Sequence, residues 1–176
     1  IGLWQWDVRA DRVVADERFA RLYGVDPARA AKGAPIAEFI GGVHPDDRTA
    51  LTQLITRVFE TGEPFACEYR LLQPGDRIRH VLARGQVTFG DDGKAAHFGG
   101  ATIDITDQRT AELALRESQS RYQSLFDSID AGFCIIEMKF DETGAPIDYR
   151  FLEINPAFER QTGLSDAQGK WMLDIA

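Results

Sequence analysis

The chain opens on "GLWQWDV", where Trp4, Trp6 and Val8 alternate with Gln5 and Asp7, the period of two that marks a half-buried strand. "RADR" gives a polar turn and "VVA" a short second strand. From Asp16 the period lengthens: "DERFARLYG" offers an N-cap aspartate, apolar Phe19, Leu22 and Tyr23 at helical spacing, and Gly24 as a stop. Pro27 to Gly33 reads as turn-rich, and "IAEFIGGVHP" as one more helical turn. "HPDDRTALTQLITRVFETGEP" predicts the longest helix of this half, with Pro45, Asp46 and Asp47 suited to the positive end of its dipole and Leu51, Leu54, Ile55 and Val58 as its apolar stripe.

After Gly62 and Pro64 the period returns to two. "FACEYRLL" sets Phe65, Cys67, Tyr69 and Leu71 against Ala66, Glu68 and Arg70. "RIRHVLARGQVTF" sets Val81, Ala83, Gly85, Val87 and Phe89 against His80, Leu82, Arg84 and Gln86, and "AAHFGGATIDIT" follows a "GDDGK" hairpin turn. The expected fold is α+β: an antiparallel sheet of about five strands with short helices on one face. The first strand must join the meander, or Trp4 and Trp6 have no cover.

"IDITDQRTAEL" then runs strand into helix without a loop. Ile103, Ile105 and Thr106 are β-branched, and the residues after Asp107 are good helix formers. Thr106 is expected to cap the helix through its hydroxyl, with Asp107 in the first turn. Ala111, Leu115, Ser118, Tyr122, Leu125 and Ile129 space as a heptad seam with one polar step, which predicts a dimer contact. The same spacing also fits a helix lying on its own domain.

A repeat follows. Residues 15–25, "ADERFARLYGV", and 154–164, "INPAFERQTGL", share F-x-R-x-x-G: Phe19, Arg21, Gly24 and Phe158, Arg160, Gly163. "GFCIIEMKF" and "IDYRFLEIN" supply strands before the second copy, and the sequence given stops before any second long helix or meander. Two strands and a short helix cannot cover their own apolar face, so this half is expected to pack on the first domain or on a partner chain. The start at Ile1 without Met reads as a fragment.

Charge and composition narrow the function. The 176 residues are 44% hydrophobic and 27% charged, a globular composition, and a net charge of −8 argues against a nucleic-acid surface. The apolar runs are too short to span a bilayer, so no membrane contact is expected in this stretch. Cys67 and Cys134 read as reduced core thiols of a cytosolic protein. Arginine outnumbers lysine 16 to 4, a bias that hints at a GC-rich bacterial genome. No phosphate-binding loop, nucleophile elbow or zinc-protease helix is present, so no catalytic residue and no metal site are assigned.

The strand pair, "HPDDR" (His44 to Arg48), "EYRLL" and the closing "GGATIDIT" with Asp104-Ile105-Thr106 together resemble a PAS domain of the subtype with a tryptophan-bearing first strand, over about residues 1–107. The second segment resembles the opening of another PAS domain, in wording similar to sensor domains of bacterial histidine kinases of the HWE type. The resemblance implies three parts: a PAS domain at 1–106, a signalling helix at 107–129 and the start of a second PAS domain at 130–176.

It further implies a cytoplasmic sensory module joined to an output domain, most simply a histidine kinase in a phosphorelay. A cyclic-dinucleotide enzyme and a ligand-free dimerisation module are the alternatives. Asp104, Ile105, Thr106 and Asp107 would relay the signal, and a homodimer would form through the linker helix and the sheet face. Some relatives hold heme through a histidine of the long helix, which has none here between Asp46 and Gly62; His44, His80 and His97 lie elsewhere. The light-sensing branch forms a cysteinyl adduct from "NCRFLQ", where this chain has "GVDPARA". The cofactor is therefore unassigned, with neither heme nor adduct-forming flavin expected.

Strand parity makes Trp4, Trp6, Phe19, Phe39, Leu54, Val58, Tyr69, Val81 and Ala83 converge between sheet and helices. Either a small-molecule pocket or a dry core accounts for them. Gly85 and Gly100, on facing strands, would leave room for a ligand, and bulges would explain them as well.

Overall fold

The computed structural model describes residues 1–175. The chain divides into two compact units, Ile1–Ala111 and Glu112–Ala176. In the first, β1 (Gly2–Asp7) and β2 (Arg12–Ala15) precede four helices, α1 (Glu17–Tyr23), α2 (Pro27–Lys32), α3 (Ile36–Ile40) and α4 (Pro45–Thr61). The meander β3 (Phe65–Gln73), β4 (Arg77–Phe89) and β5 (Ala95–Asp104) closes the unit. The five strands form one antiparallel sheet in the order β2-β1-β5-β4-β3. Thus β1 does join the meander, between β2 and β5, where Trp4 stands opposite Gly100 and Trp6 opposite Phe98.

The α+β class and the single covered face follow from strand parity. Val13, Phe65, Tyr69, Val81, Ala83, Val87 and Phe98 point inward and are buried against Phe19, Phe39, Leu51 and Val58 of the helices. One passage departs from expectation. Pro27 to Gly33, read as turn-rich, contains α2, because Asp26 accepts a hydrogen bond from the Arg29 amide (2.9 Å) and Pro27 presets the first turn. Strong capping chemistry at both ends outweighs the turn-forming composition between them.

The second unit holds most of α5 (Thr106–Ser128), then β6 (Cys134–Phe140), β7 (Pro146–Ile154), α6 (Pro156–Thr162) and α7 (Met172–Ile175). The repeat extends to individual hydrogen bonds. Asp16 accepts from the amides of Leu3 and Phe19 while its own amide donates to the Leu3 carbonyl. Asn155 does the same with Phe133 and Phe158. Both helices end on a left-handed glycine, Gly24 (φ 70°) and Gly163 (φ 75°). The hairpin β6-β7 stands as a two-stranded sheet, with Ile135, Ile136, Met138, Phe140, Ile147 and Leu152 exposed.

Candidate functional site

The first unit's core encloses an apolar chamber between the sheet and α1, α3 and α4. Its residual cavity measures about 40 Å³, room for a few water-sized groups and far below what an aromatic ligand needs. Of the residues expected there, Trp4, Trp6, Phe19, Phe39 and Tyr69 line it. Leu54, Val58, Val81 and Ala83 belong to the same core cluster without reaching the cavity. On α4 the lining residues are Leu51 and Ile55, the other half of the predicted stripe.

Gly85 and Gly100 pair across β4 and β5, and the space they leave is filled. A Cβ on Gly100 would come within 2.7 Å of Trp4 Cζ2 and 2.1 Å of the Arg84 carbonyl oxygen, and one on Gly85 within 3.0 Å of Trp4 Cη2. The glycines therefore admit the Trp4 indole, which lies in their notch, rather than a ligand. Phe98 meets the same indole edge-on at 4.9 Å.

The chamber's polar feature was not expected from the sequence. Trp4 Nε1 donates to Thr102 Oγ1 (3.2 Å), and beside that hydroxyl the phenols of Tyr23 and Tyr69 bond each other. Thr102 is completely buried. Burial pushes Tyr23 up to about 12, and burial with the neighbouring phenol pushes Tyr69 well above the ordinary tyrosine range, so both are neutral hydroxyls at physiological pH. Parity could have found Thr102, since it stands two residues beyond Gly100 on the inward face of β5. Its hydroxyl signalled nothing until Tyr23 arrived from α1.

Two residues after Thr102, β5 ends at the joint. Asp104 Oδ1 accepts from the Thr106 amide (3.0 Å) and from the Thr106 hydroxyl, while Oδ2 pairs with Arg79 Nη1 (3.1 Å). Thr106 Oγ1 in turn accepts from the His80 amide on β4 (2.9 Å), and the Ile105 amide donates to the His80 carbonyl (2.8 Å). The expected Thr106 cap is thus corrected: the hydroxyl ties the helix to the sheet, and Asp104 serves the first free amide. Asp107 is exposed in the first turn of α5, and Arg109 pairs with Glu68 of β3.

The "HPDDR" stretch is a clasp. Asp47 accepts from the backbone amide and guanidinium of Arg70 on β3 (2.6–3.0 Å), and the His44 amide donates to the Arg70 carbonyl (2.8 Å). The Arg70 guanidinium holds the Asp47 carboxyl down at about 2. Arg48 reaches back to the carbonyls of Val43 and Gly41. Asp47 therefore joins α4 to the sheet as well as facing the helix dipole.

Along α5, Leu115, Leu125 and Ile129 are exposed as a seam requires, though Ile129 lies one residue past the helix; Ala111 is exposed too. Tyr122 is engaged within its own unit, stacked on buried Phe126 and donating to Glu153 (2.6 Å). Cys67 faces inward from β3 and Cys134 starts β6; both are free thiols, each partly rather than fully buried. Among the described residues no helix is long and apolar enough to cross a membrane, and no group of metal-binding side chains gathers.

A family profile described as a PAS fold matches residues 12–102, and one described as a PAS domain matches residues 120–176. The probable diguanylate cyclase DgcE of Escherichia coli is 25% identical over 93% of this chain and 14% of its own length. The blue-light-activated histidine kinase of Brucella anthropi is 27% identical over 70% of this chain and 25% of its own. The chain thus spans a quarter or less of those proteins. Among solved structures, the sensory box histidine kinase/response regulator of Burkholderia thailandensis superposes with a TM-score of 0.57 at 24% identity, over 70% of this chain and 90% of that one. Taken with the five-stranded sheet and its one covered face, these matches place the chain in the PAS family, homologous to the sensory parts of histidine kinases and diguanylate cyclases.

Proposed function

We propose that this chain is the sensory input module of a bacterial signal-transduction protein, with a PAS domain at 1–106, a signalling helix at 107–129 and the start of a second PAS domain at 130–176. The observation that carries the reading is the position of Thr102. It belongs to the buried hydroxyl cluster of the chamber and to the strand that continues, two residues later, into Asp104 and α5. A small ligand or a partner that rearranges Tyr23, Tyr69 and Trp4 pulls on Thr102, and the pull reaches the helix through the bonds of Asp104 and Thr106. A helix transmits such a displacement because its backbone is internally bonded.

The output we favour is a histidine kinase acting in a phosphorelay. Similarity to a histidine kinase, 27% identical over 70% of the chain, supports it, and similarity to a diguanylate cyclase, 25% identical over 93%, supports the alternative of a cyclic-dinucleotide enzyme. Two copies would meet through the exposed seam residues of α5 and the outer sheet face, where Leu3, Val14 and Ile103 are exposed. The test is Thr102→Val in the full-length parent, which removes the hydroxyl at nearly constant volume. Loss of signal dependence in the parent's output is expected, with the isolated chain still folded but destabilised by about 1–3 kcal/mol because the Trp4 N–H loses its buried acceptor. An unaltered signal response overturns the relay.

A further inference from the structure

The first unit carries a second concavity, independent of the chamber. A surface groove of about 350 Å³ lies at the start of β1 and the end of β5, with Arg18, Arg21, Leu22, Gln73, Arg79 and Asp104 among its walls. Its charge runs against that of the molecule. The chain as a whole carries 28 acidic and 20 basic residues, whereas this groove gathers three guanidinium groups around one carboxylate.

The three arginines are differently occupied. Arg21 pairs with Glu17 one turn away on α1, where both side chains are largely exposed and the pair is weak. Arg79 pairs with Asp104. Arg18 makes no ion pair among the described residues. Gln73 is fixed by its amide, which donates to the Leu22 carbonyl, and Leu22 gives the groove a half-buried apolar wall. Guanidinium forks match the paired oxygens of carboxylate and phosphate groups, and an apolar wall beside them suits an organic anion better than a bare inorganic one.

We propose that this groove binds a small organic anion bearing carboxylate or phosphate groups, held by Arg18 and Arg79. The anion competes with Asp104 for Arg79. Because Asp104 also accepts the Thr106 amide at the start of α5, occupancy of the groove is coupled to the helix joint, at a place distinct from the core and with a ligand of opposite character to its apolar lining.

Calorimetric titration of the 176-residue chain with citrate and with inorganic phosphate, against chloride of matched ionic strength, tests this. Saturable binding of at least one is expected. Citrate alone would identify carboxylates as the ligand class, and phosphate alone would identify phosphate groups. Arg18→Gln should weaken binding at least tenfold without moving the melting temperature. Asp104→Asn, which removes the internal competitor, should tighten it several-fold. The absence of saturable binding beyond the chloride control, or wild-type affinity in Arg18→Gln, overturns the site. Unchanged or weaker affinity in Asp104→Asn overturns the competition with Asp104.

Discussion

Gly100 is the residue on which the chamber turns. Its missing side chain lets Trp4 approach β5, and the indole there gains both an edge-on aromatic contact and the Thr102 hydroxyl. Gly99, one position away, faces the other side of the sheet, where an added Cβ would meet nothing closer than 3.7 Å. Gly100→Ala should therefore cost about 1–3 kcal/mol through overpacking, while Gly99→Ala should leave stability nearly unchanged. Urea denaturation followed by tryptophan fluorescence separates the two. Equal effects would show that Trp4 does not depend on the notch.

At the scale of elements, the two copies of the strand-to-helix corner differ in one informative atom. Where Asp16 has a second carboxylate oxygen, Asn155 has an amide nitrogen, which donates to the carbonyl of Phe126 in the last turn of α5 and to those of Ile129 and Ala131 just beyond it (3.0–3.3 Å). The Phe126 carbonyl lacks a partner within the helix, and Asn155 is completely buried. Asn155→Asp keeps the α6 cap but loses every donor, leaving a buried carboxylate against carbonyl oxygens. A cost on the order of 3 kcal/mol is expected. Hydrogen exchange should quicken at residues 126–163 and stay unchanged in the first unit; protection equal to wild type would refute the role.

The same corner shows what the sequence made legible. The repeat, the strands themselves and their inward faces follow from local periodicity and caps, which depend on residues close in sequence, whereas the place of β1 between β2 and β5 rests on pairs such as Trp4 and Gly100, far apart in the chain. The exchange of Thr106 for Asp104 as the helix-start acceptor was hidden because the His80 amide, 26 positions away, claims the threonine hydroxyl. The hydroxyl cluster was hidden for a similar reason, since Tyr23, Tyr69 and Thr102 come from α1, β3 and β5. Trp4 in the glycine notch was half legible: the space was foreseen and its occupant was not.

The whole molecule should have a stability window set by groups at opposite ends of the pH scale. Asp47 ionises at about 2 when folded and near 3.8 ordinarily, so its stabilisation, roughly 2 kcal/mol, is present above pH 4 and lost as pH falls through about 2. Tyr23 ionises at about 12 when folded and near 10 ordinarily. Its contribution is full below pH 10 and is lost as pH rises through about 12. Thermal melts across pH should show both limbs. Tyr69, raised by the same burial, adds to the alkaline limb, so Asp47→Asn should flatten the acid limb and Tyr23→Phe combined with Tyr69→Phe the alkaline one; limbs that persist in these variants would assign them to other groups.

The glycine notch also limits what β5 can say to α5. Side chains along a strand alternate, so a slip of one residue in either direction turns Thr102 outward and breaks its bond to Trp4, and in one direction it also carries Ala101 beneath the indole. Trp4 therefore acts as a key that locks the register of β5, and a strand so locked cannot ratchet. A signal relayed through β5 as proposed would be a tilt or an exchange of hydrogen bonds at fixed register, graded in amplitude and reversible without repairing a single strand pair.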